Sequence, residues 1–198
     1  MDYGAQYFKI ALRRYIVIAN HGRMAPAQLE RALWDIRLPF RRLPVWHQLK
    51  FLCLDPATSI EQTADSIHAH PTRKDLRGRT IPGRFDTALI NDGTGEDTGL
   101  QGYRIERIRV IFSFPDSSIP LLFNNGIEIP QHLAYVEWYL PFAQNPDLNH
   151  FLHKIFPLRD REGRCICSII LVANIWRSVP ATKIWFCSTS RMDKQYCS

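Results

Sequence analysis

Two cysteines at alternate positions, Cys165 and Cys167, and two histidines three apart, His150 and His153, are the residues of this sequence best suited to metal chemistry. Alternate positions of a strand share one face, and thiolates and imidazoles are donors that zinc prefers. The second Cys pair of a zinc motif is missing, so the spacing predicts two small buried thiols rather than a metal centre. His68 and His70 repeat the alternate spacing and are read as part of a loop. Asp86, Glu106 and Glu137 are the acids a metal-dependent nuclease would need if they converged on magnesium, but nothing in the sequence brings them together. Acids inside strands are expected on the solvated outer face of a half-buried sheet. The glycine-rich stretch 91–99 lacks the Gly-Lys-Ser/Thr ending of a phosphate loop, and its Asp92, Glu96 and Asp97 would repel phosphate. It lacks the alternating ligands and closing Glu of a calcium loop as well. With no Gly-x-Ser-x-Gly nucleophile turn either, the expectation is no catalytic residue, no metal and no cofactor.

The cations carry a stronger signal. Arg73, Lys74, Arg77, Arg79 and Arg84 fall within twelve positions, opposed locally only by Asp75, and Arg41 and Arg42 precede the first predicted strand. Arg107 and Arg109 share a face of a later strand, with Arg104 nearby. Guanidinium groups grip phosphate through forked donors, and each phosphate neutralised releases counterions. These nine residues, Arg41, Arg42, Arg73, Lys74, Arg77, Arg79, Arg84, Arg107 and Arg109, are the candidate nucleic-acid contacts. The competing reading is that the basic stretch is paired internally by Asp65, Asp92, Glu96 and Asp97; net charge alone leaves both open.

Composition frames that choice. The 198 residues carry 25 Lys and Arg against 19 Asp and Glu, a net charge of +6. From Met1 to Arg79 there are 13 basic and 7 acidic residues, so the whole excess lies there, and the remainder balances at 12 and 12. With 45% hydrophobic residues the chain can bury a real core, which excludes a disordered tail. The longest aliphatic run, Ile169 to Ala173, is far short of the ~20 residues a membrane span needs, and Met1-Asp2-Tyr3 does not start a signal peptide. Five scattered cysteines suit reduced thiols. The expected protein is soluble, nuclear or cytoplasmic, not secreted, with no membrane partner.

The elements that must position these residues can be read from periodicity. Tyr7, Ile10, Ala11 and Tyr15 predict a first helix stopped by Asn20-His21-Gly22. Leu29, Leu33 and Ile36 predict a second, from Pro26 to before Pro39. Both are expected to dock on the domain C-terminal to them. From Val45 the period becomes two, giving a strand to Cys53 closed by Asp55-Pro56. Residues 56–83 show little periodicity and are read as an exposed loop, its basic part at 71–84. Strands are then predicted at Arg84–Ile90, Tyr103–Phe114, Leu121–Phe123, Ile127–Ile129, Leu133–Leu140, Phe151–Phe156, Arg164–Val172 and Lys183–Cys187. Asn124-Asn125-Gly126 would be a hairpin turn. Within Tyr103–Phe114 the alternation slips, predicting a bulge near Glu106-Arg107. The fold class expected is mainly β, α+β overall: a small antiparallel barrel or sandwich with an N-terminal two-helix extension. Its parts are a helical extension 1–44, a β-rich domain 45–179 and a tail 180–198.

Several blocks stand in a familiar order: Leu38-Pro-Phe, Leu43-Pro-Val-Trp-His47, Ala64-Asp-Ser-Ile-His-Ala-His-Pro71, Pro82-Gly-Arg-Phe-Asp-Thr-Ala-Leu-Ile90, Gly99-Leu-Gln-Gly-Tyr-Arg104, Arg107-Ile-Arg-Val-Ile-Phe112 and Leu133-Ala-Tyr-Val-Glu-Trp138. Pro146-Asp-Leu-Asn-His150 and Val172-Ala-Asn-Ile-Trp-Arg-Ser-Val179 continue it, so that 142 positions from Leu38 to Val179 are involved. This order resembles the C-terminal region of transposases of Plavaka-type DNA transposons of mushroom-forming fungi. In that family the ribonuclease-H-like catalytic core lies upstream of such a region, and no residue here matches a motif of the core. The resemblance therefore implies a non-catalytic piece of a longer, transposase-derived reading frame, with DNA or the parent transposase as partner. Pro180 to Ser198 departs from the pattern, which implies a degenerate or truncated copy, or a gene model cut from one. The expected function is an accessory nucleic-acid-binding domain. The alternatives are a protein-interaction module similar to small chromatin-associated barrels, using Trp138 and Tyr139, or an inert transposon relic; an isolated nuclease ranks last.

Overall fold

A computed structural model describes residues 2–54, 62–91, 93, 102–142, 153–179 and 185–186. The chain is mainly β, with antiparallel sheets and three helices, an α+β fold. Helix α1, Phe8–His21, buries Ala11, Leu12, Ile16 and Val17 and ends where Gly22 N–H bonds Ile18 O at 2.8 Å. The face it turns inward differs from the predicted stripe: Ile10 is 50% exposed, because the unbroken series Phe8, Ala11, Leu12, Tyr15 and Ile16 is the broader apolar surface. Helix α2, Pro26–Asp35, buries Leu33, with Leu29 and Ile36 half-buried beside it as expected.

The predicted strand from Val45 is two strands, β1 at Val45–Trp46 and β2 at Gln48–Leu54, which leave each other at His47. Residues 62–83 are not a loop. Gln62–His70 forms β3, Arg73–Lys74 and Thr80–Ile81 form the hairpin strands β4 and β5, and Arg84–Phe85 forms β6. Strand β3 has a weak sequence signal because its buried apolar residues are only Ile67 and Ala69 among the described side chains, set between a serine and two histidines, of which His70 is itself buried. Asp86 separates β6 from β7, Thr87–Asn91, and β8 is Tyr103–Phe112. The expected hairpin around Asn124-Asn125-Gly126 is replaced by a 3-10 turn at Asp116–Ser118 and a short helix α3, Ile119–Leu122. Pro120 sits in the first helical turn, where its missing N–H costs nothing, and Ile127 N–H still closes a turn onto Asn124 O at 3.3 Å. Strands β9 (Leu133–Trp138), β10 (Lys154–Ile155), β11 (Cys167–Leu171), β12 (Ile175–Val179) and β13 (Trp185–Phe186) complete the chain. The rest of the predicted strands at 151–156 and 183–187, apart from His153 and Phe156, lies outside the described residues.

The large sheet runs β11-β9-β8-β7-β12, all antiparallel, with β1 sharing an edge of β8 with β7. Strand β7 takes Tyr103 to Arg107, and β1 takes Ile111 and Phe112. A small sheet, β2-β3-β6, lies against one face of the large one, and α1 covers the other. Strand β9 is therefore buried on both faces: Leu133 and Tyr135 pack toward α1, Ala134 and Val136 toward Ile67 and Ala69 of β3. Two stacked sheets make this a sandwich-like arrangement, and among the described residues the large sheet does not close into a barrel. The single parallel pairing among the described strands is β10 with β13.

A bulge does interrupt β8, but at Arg109 rather than Glu106-Arg107. Ile108 and Val110 oppose the consecutive residues Val136 and Tyr135, so Arg109 is the extra residue. The slip in alternation visible in the sequence is resolved there: Ile108 and Ile111 face the small sheet, Val110 and Phe112 face α1.

Candidate nucleic-acid interface

The basic stretch is a built hairpin. Asp75 organises its tip: Asp75 N–H bonds Arg79 O at 2.9 Å, Gly78 N–H bonds Asp75 O at 3.0 Å, and the Asp75 Oδ1 accepts the N–H groups of Arg77 and Arg79 at 2.9 and 2.8 Å. Arg79 Nε donates to Asp75 Oδ2 at 2.8 Å, and these donors, Arg79 first, hold the Asp75 carboxyl below its ordinary value. Gly78 has φ +77°, a conformation that side chains disfavour, so glycine is required at this turn. At the base, a Cβ on Gly83 would lie 3.0 Å from Thr72 N. Gly83 N–H instead bonds Thr72 Oγ1 at 3.1 Å, over the buried Pro71.

On this frame the five clustered cations divide. Arg79 pairs with Asp75, and Arg84 Nε pairs with Asp86 at 2.8 Å. Arg73, Lys74 and Arg77 are exposed and have no anionic partner among the described residues. The internal pairing expected from Asp65 does not occur: that carboxylate points into the sandwich and accepts Ser178 N–H and Ser178 Oγ–H, both at 2.6 Å. Asp92, Glu96 and Asp97 lie outside the described residues. Arg41 and Arg42 are exposed on the segment leading to β1.

The base of the hairpin meets the junction of β1 and β2 through three histidines, His47 from the predicted first strand and His68 and His70 from residues that periodicity alone assigns to a loop. His70, buried, lies 6.2 Å from the His47 ring and 6.4 Å from His68, centroid to centroid. His47 Nε2 is 3.0 Å from Tyr3 Oη, and His68 Nδ1 is 3.0 Å from Asp86 Oδ2. Burial, then the charge of Arg73, then His70, lowers the pKa of His47.

The last two predicted contacts are placed otherwise. Arg109 sits in the bulge with Nε 2.9 Å from Glu137 Oε2, both side chains largely buried (20% and 14% exposed), and its guanidinium lies 4.9 Å over the Phe85 ring. It is a structural cation, taken inward by the bulge that sequence alternation located imperfectly. Arg107 lies 5.8 Å over Tyr139, and Arg104 lies 4.0 Å over Trp138. Trp138 also donates Nε1–H to Ser168 Oγ at 2.8 Å, and Tyr139 is buried, so these aromatics are packed rather than presented.

The candidate acids are dispersed in role. Asp86 serves Arg84 and His68, Glu137 serves Arg109, and Glu106 is fully buried on β8 with neither carboxylate oxygen hydrogen-bonded. Burial drives the Glu106 pKa well above its ordinary value, against a smaller opposing pull from Arg104. Among the described residues no three His, Cys, Asp or Glu side chains are grouped to hold a metal ion. Cys167 is half-buried against Tyr135, and burial raises its pKa; Cys165 is also half-buried, and His150 lies outside the described residues. Cys165 lines a cleft of about 400 Å³ with Gly4, Tyr7, Arg109, Tyr135 and Glu137. Of its charged walls, Arg109 pairs with Glu137 and Arg164 with Asp160 and Glu162, while Arg159 donates to the Gly163 carbonyl at 2.7 Å.

Compared with known proteins, the chain matches no family model, no curated protein and no solved structure. No described helix is long and apolar enough to cross a membrane.

Proposed function

We propose that this protein is a non-catalytic, transposase-derived accessory domain that binds DNA through the β4–β5 hairpin, with Arg41 and Arg42 as outlying contacts. The observation that carries the reading is the set Arg73, Lys74 and Arg77: exposed, unneutralised among the described residues, and held on a braced hairpin. Cations on a pre-formed frame lose little conformational freedom when they meet phosphate, so more of their Coulombic attraction appears as affinity. Arg79 and Arg84 act as auxiliary contacts, since each must share its charge with a carboxylate. Arg107 and Arg109 contribute through the stability of the sheet. A nuclear location accords with this role.

The test is fluorescence anisotropy of a labelled duplex across a salt series. Changing Arg73, Lys74 and Arg77 together to alanine reduces the slope of log K against log salt by about 2 to 3, near 0.9 for each phosphate no longer neutralised. Absence of binding by the unaltered protein at low salt, or a slope indifferent to the triple change, overturns the reading.

A further inference from the structure

The hairpin tip carries a residue that phosphate binding does not explain. Leu76 stands between Asp75 and Arg77 with its side chain wholly in water, at 108% relative exposure, more than any other large apolar residue described. The bonds that fix Asp75, Arg77, Gly78 and Arg79 hold Leu76 on the braced turn, and the Gly83–Thr72 contact fixes the hairpin base. A leucine held in water forgoes the whole gain of burying its side chain, and a polar residue would serve the turn as well. The three unneutralised cations flank it, two on β4 and one immediately beyond the tip.

Resting on the DNA-binding reading, we infer that Leu76 is a wedge: the hairpin enters the minor groove of duplex DNA and Leu76 inserts between two base pairs, unstacking and kinking the duplex. Arg73, Lys74 and Arg77 then lie along the phosphates bordering the groove. The cost of unstacking is offset by burial of the leucine and by the phosphate contacts that the bend brings within reach. Easily unstacked pyrimidine–purine steps are the preferred points of entry, which gives sequence preference without hydrogen bonds to bases. A lipid surface is the other environment that accepts an apolar tip with a basic collar. One leucine supplies about the burial energy of three or four methylenes, less than the single acyl chain that gives only marginal anchoring. The observations therefore favour DNA.

The experiment uses the full chain and a duplex of about 25 bp, donor and acceptor dyes at its ends, with a central TA step. The unaltered protein raises energy transfer on binding. Leu76→Ala still binds, weaker by up to about tenfold, with the salt slope unchanged, and the rise in transfer disappears. Leu76→Phe, a larger wedge, restores the rise. Salt-dependent binding without a bend, or a bend that persists in Leu76→Ala, overturns the wedge while leaving the DNA-binding reading intact. No binding at all overturns both. A parallel arm measures sedimentation with phosphatidylcholine–phosphatidylserine vesicles; vesicle binding that depends on Leu76, together with an unbent duplex, assigns the tip to lipid and overturns the inference.

Discussion

The β4–β5 hairpin and the strip of charge along β8 and β9 are built from the same residue types and put to opposite ends. On the hairpin, Arg73, Lys74 and Arg77 face water, and the local acid, Asp75, is spent on the backbone of the turn. In the sheet, Arg109 and Glu137 neutralise one another below the surface, and Glu106 is buried with neither oxygen hydrogen-bonded. Ionisable groups whose burial costs stability lie inside; charge left over for a partner lies outside. The composition of the chain does not distinguish the two, and net charge alone is a poor guide to which cations can bind anything.

The largest effects are expected in the sheet. Replacing Glu137 by alanine strands Arg109 in a largely buried position and lowers stability by about 3 kcal/mol in urea or thermal unfolding. The salt slope for DNA does not move. A loss near zero would mean that the pair is solvated and that the inside–outside division is false. Next comes Glu106. Its folded pKa lies above the unfolded value near 4.5, so the native state holds a proton that the unfolded chain releases. That group favours folding most at acidic pH, and its contribution falls as pH rises from 4.5 toward the folded value. Glu106→Gln flattens this dependence. Glu106→Leu raises stability at neutral pH by about 1–3 kcal/mol, since it removes a buried group whose oxygens have no hydrogen bonds. Unfolding midpoints followed from pH 4 upward, for all three proteins, decide it.

The hairpin yields smaller and more discriminating effects. Asp75→Asn keeps an oxygen for the N–H groups of Arg77 and Arg79 while releasing the Arg79 guanidinium, so DNA affinity rises severalfold. Asp75→Ala removes the same negative charge but also the brace, so affinity falls. If both changes raise affinity, charge alone matters and the braced frame is irrelevant. Smallest of all, the triple change of Arg73, Lys74 and Arg77 to alanine leaves the thermal midpoint where it was, because none of the three makes an ion pair with a described residue. A clear drop would make them structural cations like Arg109.

Much of the frame is legible in the sequence. The helices over Pro26–Asp35 and up to His21, the mainly β character and the strands β7, β8, β9 and β11 come from periods of 3.6 and 2 in residues whose burial is strong. Strand β3 is not legible, because its inward positions hold an aspartate, one isoleucine and one alanine, and its identity depends on the surface that receives it. Leu121–Phe123 reads as a strand because all three residues are apolar; Pro120 and the preceding 3-10 turn draw Leu121 and Leu122 into a helix instead. For the interface, the sequence locates the basic cluster but cannot divide it. Whether an arginine is neutralised depends on where Asp65, Asp75, Asp86 and Glu137 point, which is a property of the sandwich and not of spacing. The bulge shows the same limit: alternation reveals that a strand has slipped, and only the register with β9 says that Arg109 is the residue displaced.

The tie between Asp65 and Ser178 sets an order in time. The two residues are 113 positions apart, and their paired 2.6 Å bonds fasten β3 to β12, the far edge of the large sheet. On a chain being synthesised, Asp65 emerges on the order of ten seconds before Ser178 exists. Over that interval the small sheet has no fastening at that edge, and the Asp65 carboxylate waits in water. Only the arrival of β12 draws that carboxylate in and adds this tie to the pairing that β2 and β6 already give β3.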